Sequence, residues 1–478
     1  MKGRIMLALV ACWMAMAVVP VLAATPAVSA VSAEARAAVA ESGEVRVMVA
    51  LRPRATLTGA GLSQDRTLRM AQVQAVADAV LDALPEDSHV LRRRFVLVPA
   101  LALDVDARGL EALERHPDVL AVDIDSGGSA GGTVAPDEAS RVNGVAGLAA
   151  HGLGGAGRKV AVIDSGVDID HADLAARLVD EACFCSPANG TGGCCPGHTA
   201  TRIGPGAASD DNGHGSNVSG IIVGEGGIAP RGAVPEASLV AVKVLDSSGR
   251  FCCASDVVAA MDWLATRHPD LAAVNVSLGS DERFVSHCDA STAWTQTLAT
   301  AVDALVANGA VVTVSTGNQG DVHGMQAPAC VRNALSVAAT WDSAIGPVND
   351  FLGCSEAETA ARKPTCFSNR SATTDLFAAG AFVTSTGHTG GTSTYGGTSQ
   401  AAPMVAACAV ALSQAAPVAT VTQRIDAMGL STTRITDPAS GRIHPFLDCL
   451  DAVALLNPAA IRPLPRHGAD PLLPPSQP

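Results

Sequence analysis

Five short, Val-rich apolar runs, at 160–163, 239–245, 273–278, 311–315 and 335–339, alternate with stretches of helical spacing at 215–223, 256–265 and 295–307. This alternation constrains the fold more than any other feature. Strands that are apolar along their length are buried on both faces, and the intervening helices provide the cover. The expected architecture is α/β, a mainly parallel, doubly wound sheet. In such a sheet functional residues collect beyond the carboxyl ends of the strands. The chain has 478 residues, 48% of them hydrophobic, enough for a large core and for more than one compact unit.

A different pattern precedes this region. Strand-like segments at 45–51, 90–98, 101–105 and 119–124 and helical ones at 68–84 and 110–115 give the order β-α-β-β-α-β. That is the split arrangement of a small ferredoxin-like α+β domain, spanning about 44–125. The sequence SGGSAGGT at 126–133 follows. A Gly/Ser segment of this kind is exposed and flexible, and it is where a precursor would be cut. The predicted organisation is a leader at 1–23, a first unit at 24–130, the large unit at 131–456 and a Pro-rich, extended tail at 457–478.

The leader reading rests on Lys2 and Arg4, an apolar stretch from 5 to about 19, and small residues before Ala24. This is the pattern of a secretory signal peptide. Lipidation at Cys12, after Leu9, Val10 and Ala11, is the competing reading, but the apolar run continues past Cys12. No other segment reaches the ~18 apolar residues of a membrane span. The expected location is secreted, periplasmic or extracellular, with no stable membrane span.

Removal of the leader leaves twelve cysteines, an even number that suits disulfides in an exported chain. Cys183, Cys185, Cys194 and Cys195 share a Gly-rich stretch, and Cys252 and Cys253 form a doublet. Zinc ligation competes, but the spacing fits no standard ligand pattern. Cys354 with Cys366 and Cys288 with Cys330 are plausible pairs, whereas Cys408 reads as a buried thiol in an apolar helix. The net charge of −14 disfavours nucleic acid as a partner. Arg92, Arg93 and Arg94 read as a solvated face.

Three motifs carry chemistry. VAVIDSG at 160–166 puts Asp164 at the end of an apolar strand. DNGHGSNVSG at 211–220 delivers His214 through a glycine turn to the start of an apolar helix. YGGTSQAAP at 395–403 places Ser399 in the first turn of another helix, where free N–H groups can stabilise an oxyanion. Each has a plainer explanation: a turn-forming Asp, a surface His, a helix cap at Thr398 or Ser399. Pro403 argues against the cap, because it removes the N–H that would bond to the Ser399 carbonyl and should distort the helix. A hydroxyl needs a base to take its proton, and the base needs an acid to fix its tautomer. The chain offers one of each.

These motifs, in this order, resemble the subtilisin family of serine proteases over about 135–453. VNVSLG at 274–279 and STGN at 315–318 match two further regions of that family, and 44–125 resembles its inhibitory propeptide. The resemblance implies a secreted endopeptidase made as a self-processing zymogen, with polypeptide substrates and its own propeptide as intramolecular inhibitor. It implies Asp164, His214 and Ser399 as the triad, with Asn318 and the Ser399 N–H holding the oxyanion. It further implies Ser277, Leu278, Gly279, Ser248, Gly249, Ser315, Thr316 and Gly317 as the walls that hold an extended substrate by strand addition. No cofactor is required.

Some residues depart from the family pattern. Asn217 stands where many relatives have a second His, and Gln400 where Met is common. Asp173 aligns with a calcium ligand, but Gly226 lacks the side chain expected opposite it, so calcium is only a candidate ligand. The cysteine-bearing insert between Asp164 and His214 is atypical, and a cross-link from it to Cys252 or Cys253 would brace the cleft. The acids Asp210, Asp211 and Asp246 near the cleft would favour basic substrates. Competing functions on the same fold are a non-catalytic binding or chaperone-like protein, and an esterase or peptide ligase using the same nucleophile.

Overall fold

The computed structural model describes residues 30–52, 66–125, 128–129, 138–187, 191–431 and 433–461. The leader, Cys12, most of the Gly/Ser segment and residues 462–478 lie outside the described residues.

The first unit has the elements α1 (Ala33–Ser42), β1 (Glu44–Leu51), α2 (Arg66–Leu81), β2 (His89–Arg94), β3 (Ala100–Asp106), α3 (Ala107–Arg115) and β4 (Val119–Ile124). Its antiparallel sheet has the order β2-β3-β1-β4, which is the ferredoxin-like arrangement. Helix α1 has almost no apolar periodicity and was not expected from the sequence; Ser32 caps its first turn and Gly43 ends it in a left-handed conformation.

The second unit is built on β5 (Lys159–Asp164), β6 (Leu178–Phe184), β7 (Thr201–Ile203), β8 (Ser238–Lys243), β9 (Leu271–Val276), β10 (Val311–Ser315), β11 (Leu335–Trp341) and β12 (Leu376–Ala381). They form one eight-stranded sheet in the order β12-β11-β10-β9-β5-β8-β6-β7, parallel except for the edge strand β7. Alternate residues serve opposite faces. Val160, Val162, Leu239 and Ala241 share a core with α4 (His214–Val223) and α7 (Thr398–Ala415). Ala161, Ile163, Val240 and Val242 pack with α5 (Ala254–Arg267) and α6 (Ala293–Ala307). This two-sided burial is why these strands lack a polar face.

The first unit docks on α5 and α6. Met48, Phe95, Leu97 and Val98 enter the same apolar core as Val257, Leu264 and Leu298. Asp262 accepts the N–H groups of Val96 and Leu97, each at 2.7 Å, and Asp125 accepts the N–H of Ser255 at 2.7 Å at the start of α5. Of the arginine triplet, Arg93 departs from the expected solvated face, whereas Arg92 is exposed. Arg92 pairs with Asp104, Arg94 with Asp78, and Arg93 with Asp256 across the interface. Arg93 alone turns from this edge strand into the contact with α5, where a buried charge needs a partner.

All twelve described cysteines are bridged: Cys183–Cys195, Cys185–Cys194, Cys252–Cys253, Cys288–Cys330, Cys354–Cys366 and Cys408–Cys449. Two expectations are corrected. Cys408 is no free thiol, because α9 (Cys449–Leu456), which follows α8 (Val421–Leu430), brings Cys449 against α7. The insert does not cross-link to Cys252 or Cys253, because its four cysteines face one another across a hairpin while the adjacent pair closes on itself. The start of the Pro-rich tail is also more ordered than expected, with a 3-10 turn at Pro458–Ala460. Among the described residues no helix is long and apolar enough to cross a membrane.

Candidate active site

Asp164 ends β5, at the centre of the sheet, and its Oδ1 lies 2.7 Å from His214 Nδ1. The close approach depends on glycine. A Cβ on Gly215 would lie 2.2 Å from the Gly166 carbonyl oxygen, and Gly213 enters the helix with φ of 103°. Asp210 holds the turn that delivers the imidazole. It accepts hydrogen bonds from the N–H groups of Asn212, Gly213 and Ser216 and from the hydroxyls of Ser165 and Ser216. Burial pushes the Asp210 carboxyl up, but these donors together hold it below the usual carboxylate range. For His214, burial opposes the charged form and is outweighed by the charge and hydrogen bond of Asp164 and the charge of Asp210, so its pKa is raised.

Among the described residues, Asp164 Oδ2, His214 Nε2 and Gln400 Oε1 are buried here without a hydrogen-bond partner. The helix of Ser399 packs beside that of His214, with Gln400 Nε2 donating to Asn217 Oδ1 at 3.3 Å. Thus the two departures from the family pattern are partners. The Ser399 hydroxyl donates to the Ser277 carbonyl at 3.2 Å rather than to the imidazole. Tyr395, the only tyrosine, sets its ring edge-on to His214 at 5.8 Å.

Pro403 neither ends α7 nor leaves the Ser399 carbonyl unpaired. The helix runs on to Ala415, and the Ser277 hydroxyl donates to that carbonyl at 2.8 Å. One side chain therefore replaces the helical bond that proline forbids. Asn318 is fixed by its oxygen, which accepts both the N–H and the hydroxyl of Thr398 at 2.9 Å. This leaves its amide hydrogens for another acceptor. Gly317 makes the approach: φ is 105°, and a Cβ would lie 2.3 Å from Gln326 Oε1. The Ser399 N–H, in the first turn of α7, has no acceptor within the helix.

A cleft of about 590 Å³, open to solvent, lies against Ser399. Leu278, Gly279, Ser315, Gly317 and Asn318 line it, joined by Gln319, Gln326, Leu352 and Thr398. Nothing in the sequence marked those last four as lining residues. Ser277 and Thr316 are buried behind the wall, where Thr316 donates to the Asn369 carbonyl. Ser248 and Gly249 do not line this cleft either; they form a turn in which Asp246 takes the Ser248 hydroxyl. The residues just beyond that turn, Arg250–Phe251, flank one side of the segment Gly128–Ser129, and Gly279–Ser280 flank the other. The chain's own connecting segment is thus the middle strand of a three-stranded antiparallel sheet in the cleft.

Of the three acids near the cleft, only Asp211 has a cationic partner. Asp210 is spent on its turn, and Asp211 pairs at 2.6 Å with the buried Lys243, whose ammonium also donates to the carbonyls of Ser165 and Leu245. Lys243, which ends β8, was not singled out from the sequence. Asp246 caps its own loop. The calcium candidate fails on donor chemistry. Asp173 already accepts N–H groups from Gly227, Ile228 and Ala229 at 2.7–2.9 Å, so the loop presents hydrogens where a cation needs oxygens. Burial raises the Asp173 pKa and these three bonds more than reverse it.

The fold and the gathered polar side chains belong to the class of α/β hydrolytic enzymes with the site at the strand ends. The profile of the subtilase family (Peptidase_S8) matches residues 155–443. Subtilisin E of Bacillus subtilis (strain 168) is 29% identical over 357 residues, covering 74% of this chain and 80% of that protein. Alkaline elastase YaB of Bacillus sp. (strain YaB) is 30% identical over 335 residues, covering 70% and 74%. A solved cold adapted subtilisin-like serine proteinase aligns with TM-score 0.46 and 25% identity over 61% of this chain and 89% of its own. The chain belongs to the subtilase family and is a serine endopeptidase that acts on polypeptides.

Proposed function

We propose that the protein is an exported endopeptidase, made as a zymogen, that hydrolyses peptide bonds through Asp164, His214 and Ser399. The observation that carries the chemistry is the buried, unpartnered Nε2 of His214, whose Nδ1 is held by Asp164. Nδ1 carries the proton toward the carboxylate, which leaves Nε2 as a free base. Rotation of the Ser399 side chain away from the Ser277 carbonyl brings its hydroxyl to that base; such bonds often tighten only with substrate present. The Ser399 oxygen then bonds to the scissile carbonyl carbon while its proton passes to Nε2. The Asn318 amide and the Ser399 N–H stabilise the oxyanion. As the C–N bond breaks, the imidazolium protonates the leaving amine, and water repeats the sequence on the acyl-enzyme.

The zymogen reading is supported by the segment Gly128–Ser129 in the cleft. Ser129 pairs in an antiparallel register with Gly279, which lies two residues after Ser277, the neighbour of Ser399. Self-cleavage is therefore predicted in the connecting segment after Ser129, within 130–135, and export follows from the leader sequence. The test is the Ser399→Ala chain, which should stay full length while the wild type yields a mature form beginning after Ser129. Normal maturation of the Ser399→Ala chain would refute self-processing, and a start upstream of Ser129 would refute the register.

A further inference from the structure

The cysteine-bearing insert builds a second polar construction, just beyond the end of β6 and separate from Asp164 and His214. Asp256 is fully buried in the first turn of α5, and its carboxylate accepts the Ser186 N–H at 2.6 Å and the Ser186 hydroxyl at 3.0 Å. Its third donor is Arg93, at 2.5 Å, from strand β2 of the first unit. The same guanidinium donates to the Ala200 carbonyl at 3.0 Å and to the Thr201 hydroxyl, and it lies 5.3 Å over the ring of Phe184. The pair is closed to solvent, with side-chain exposures of 10% and 0%.

Apart from Arg93, every part of this socket belongs to the peptidase unit. Phe184, Ser186, Ala200 and Thr201 sit on the insert, fixed by Cys183–Cys195 and Cys185–Cys194. The helix start supports the Asp256 charge. A planar fork of donors meets a carboxylate, a carbonyl, a hydroxyl and an aromatic face, which is the chemistry that selects arginine over lysine. The neighbouring arginines are spent within their own unit, Arg92 on Asp104 and Arg94 on Asp78.

We propose that this socket is a guanidinium-binding latch, which holds the first unit on the peptidase after the connecting segment has been cut, and that Arg93 sets how long the cut unit stays. The proposal rests on the zymogen reading only for the natural origin of the cut, and its test needs no catalysis. In a Ser399→Ala background, a recognition sequence for an unrelated site-specific protease is placed within 130–137. The chain is cut there, and dissociation of the first unit is followed by native mass spectrometry. Truncating one partner of a buried charged pair acts on the off-rate, and about a 100-fold acceleration is expected for Arg93→Ala and for Asp256→Asn. Arg93→Lys should fall between these and the parent, and Arg94→Ala should match the parent. If Arg93→Ala does not fold, Arg93→Lys and Asp256→Asn make the same comparison. Off-rates within twofold of the parent in the variants that fold, or equal acceleration by Arg94→Ala, would overturn the latch. Failure of the zymogen reading would show separately, as a wild-type chain that never cuts itself.

Discussion

Two clusters of buried acids stand apart in the molecule, one at the end of β5 and one along α5. At the strand ends, Asp164 and Asp210 are met by donors from the peptidase unit itself, and the pair of Asp164 and His214 leaves Asp164 Oδ2 and His214 Nε2 without partners. At the docking face, Asp256 and Asp262 draw donors from the first unit, and Asp125 of that unit draws its donors from Ser255. The first cluster is complete without the leading unit and keeps a nitrogen in reserve for reaction. The second loses donors when the units part, Asp256 keeping only those of Ser186. Burial thus serves a permanent site in one place and a removable contact in the other, and substitutions should separate the two.

The largest effect belongs to the strand ends. Asp164→Asn keeps the shape but loses the tautomer control, and kcat should fall about 10⁴-fold. A fall under tenfold would detach Asp164 from the imidazole. Asn318→Ala removes one oxyanion donor and should cost about 10²–10³ in kcat with KM little changed. A rise in KM alone would make Asn318 a substrate-positioning residue instead.

The docking cluster should answer to pH. Burial raises the Asp125 carboxyl to about 7, only partly offset by its bonds to the Ser255 hydroxyl and N–H; Asp256 adds to the rise and Arg46 opposes it. A raised carboxyl pKa means that the docked state binds a proton the free unit gives up. Docking is therefore strongest at low pH and weakens as pH rises from the ordinary carboxylate range to about 7. Retention of the cut unit, measured from pH 5 to 8, should fall with pH in the parent and lose most of that dependence in Asp125→Asn. Retention that rises with pH would reverse the assignment. His214 sets an opposite limit, since its raised pKa makes the basic form, and with it kcat/KM, disappear as pH falls through that value.

The smallest expected effect is an absence of change. Gln400 replaces a thioether beside Ser399, so brief peroxide treatment should leave activity nearly intact, and Gln400→Met should make it sensitive. Rapid loss in the parent would place the oxidisable group elsewhere.

The contrast between clusters also explains what the sequence made legible. The sheet, Asp164, His214, Ser399 and Asn318 all sit in short motifs in which a glycine turn adjoins an apolar run, so local pattern was enough. Strand β6 was missed because Asp180 and Glu181 interrupt it; Glu181 is buried and spends its carboxylate on the N–H groups of Gly206 and Ala208. Strand β12 was missed because its Ala and Gly residues have low strand propensity. The roles of Arg93, Gln326 and Asp173 depend on partners distant in sequence or on the direction of backbone N–H groups, which periodicity does not encode. The adjacent cysteines were misread because a doublet in sequence suggests two separate partners.

The central claim is that the Ser399 hydroxyl, driven by His214, is the nucleophile. Labelling of the processed protein with a fluorophosphonate, followed by peptide mass spectrometry, tests it most directly. The account predicts one phosphonyl adduct, on Ser399, formed in step with the loss of activity. An adduct on another residue that tracks the loss of activity, or full activity without label at Ser399, would contradict it.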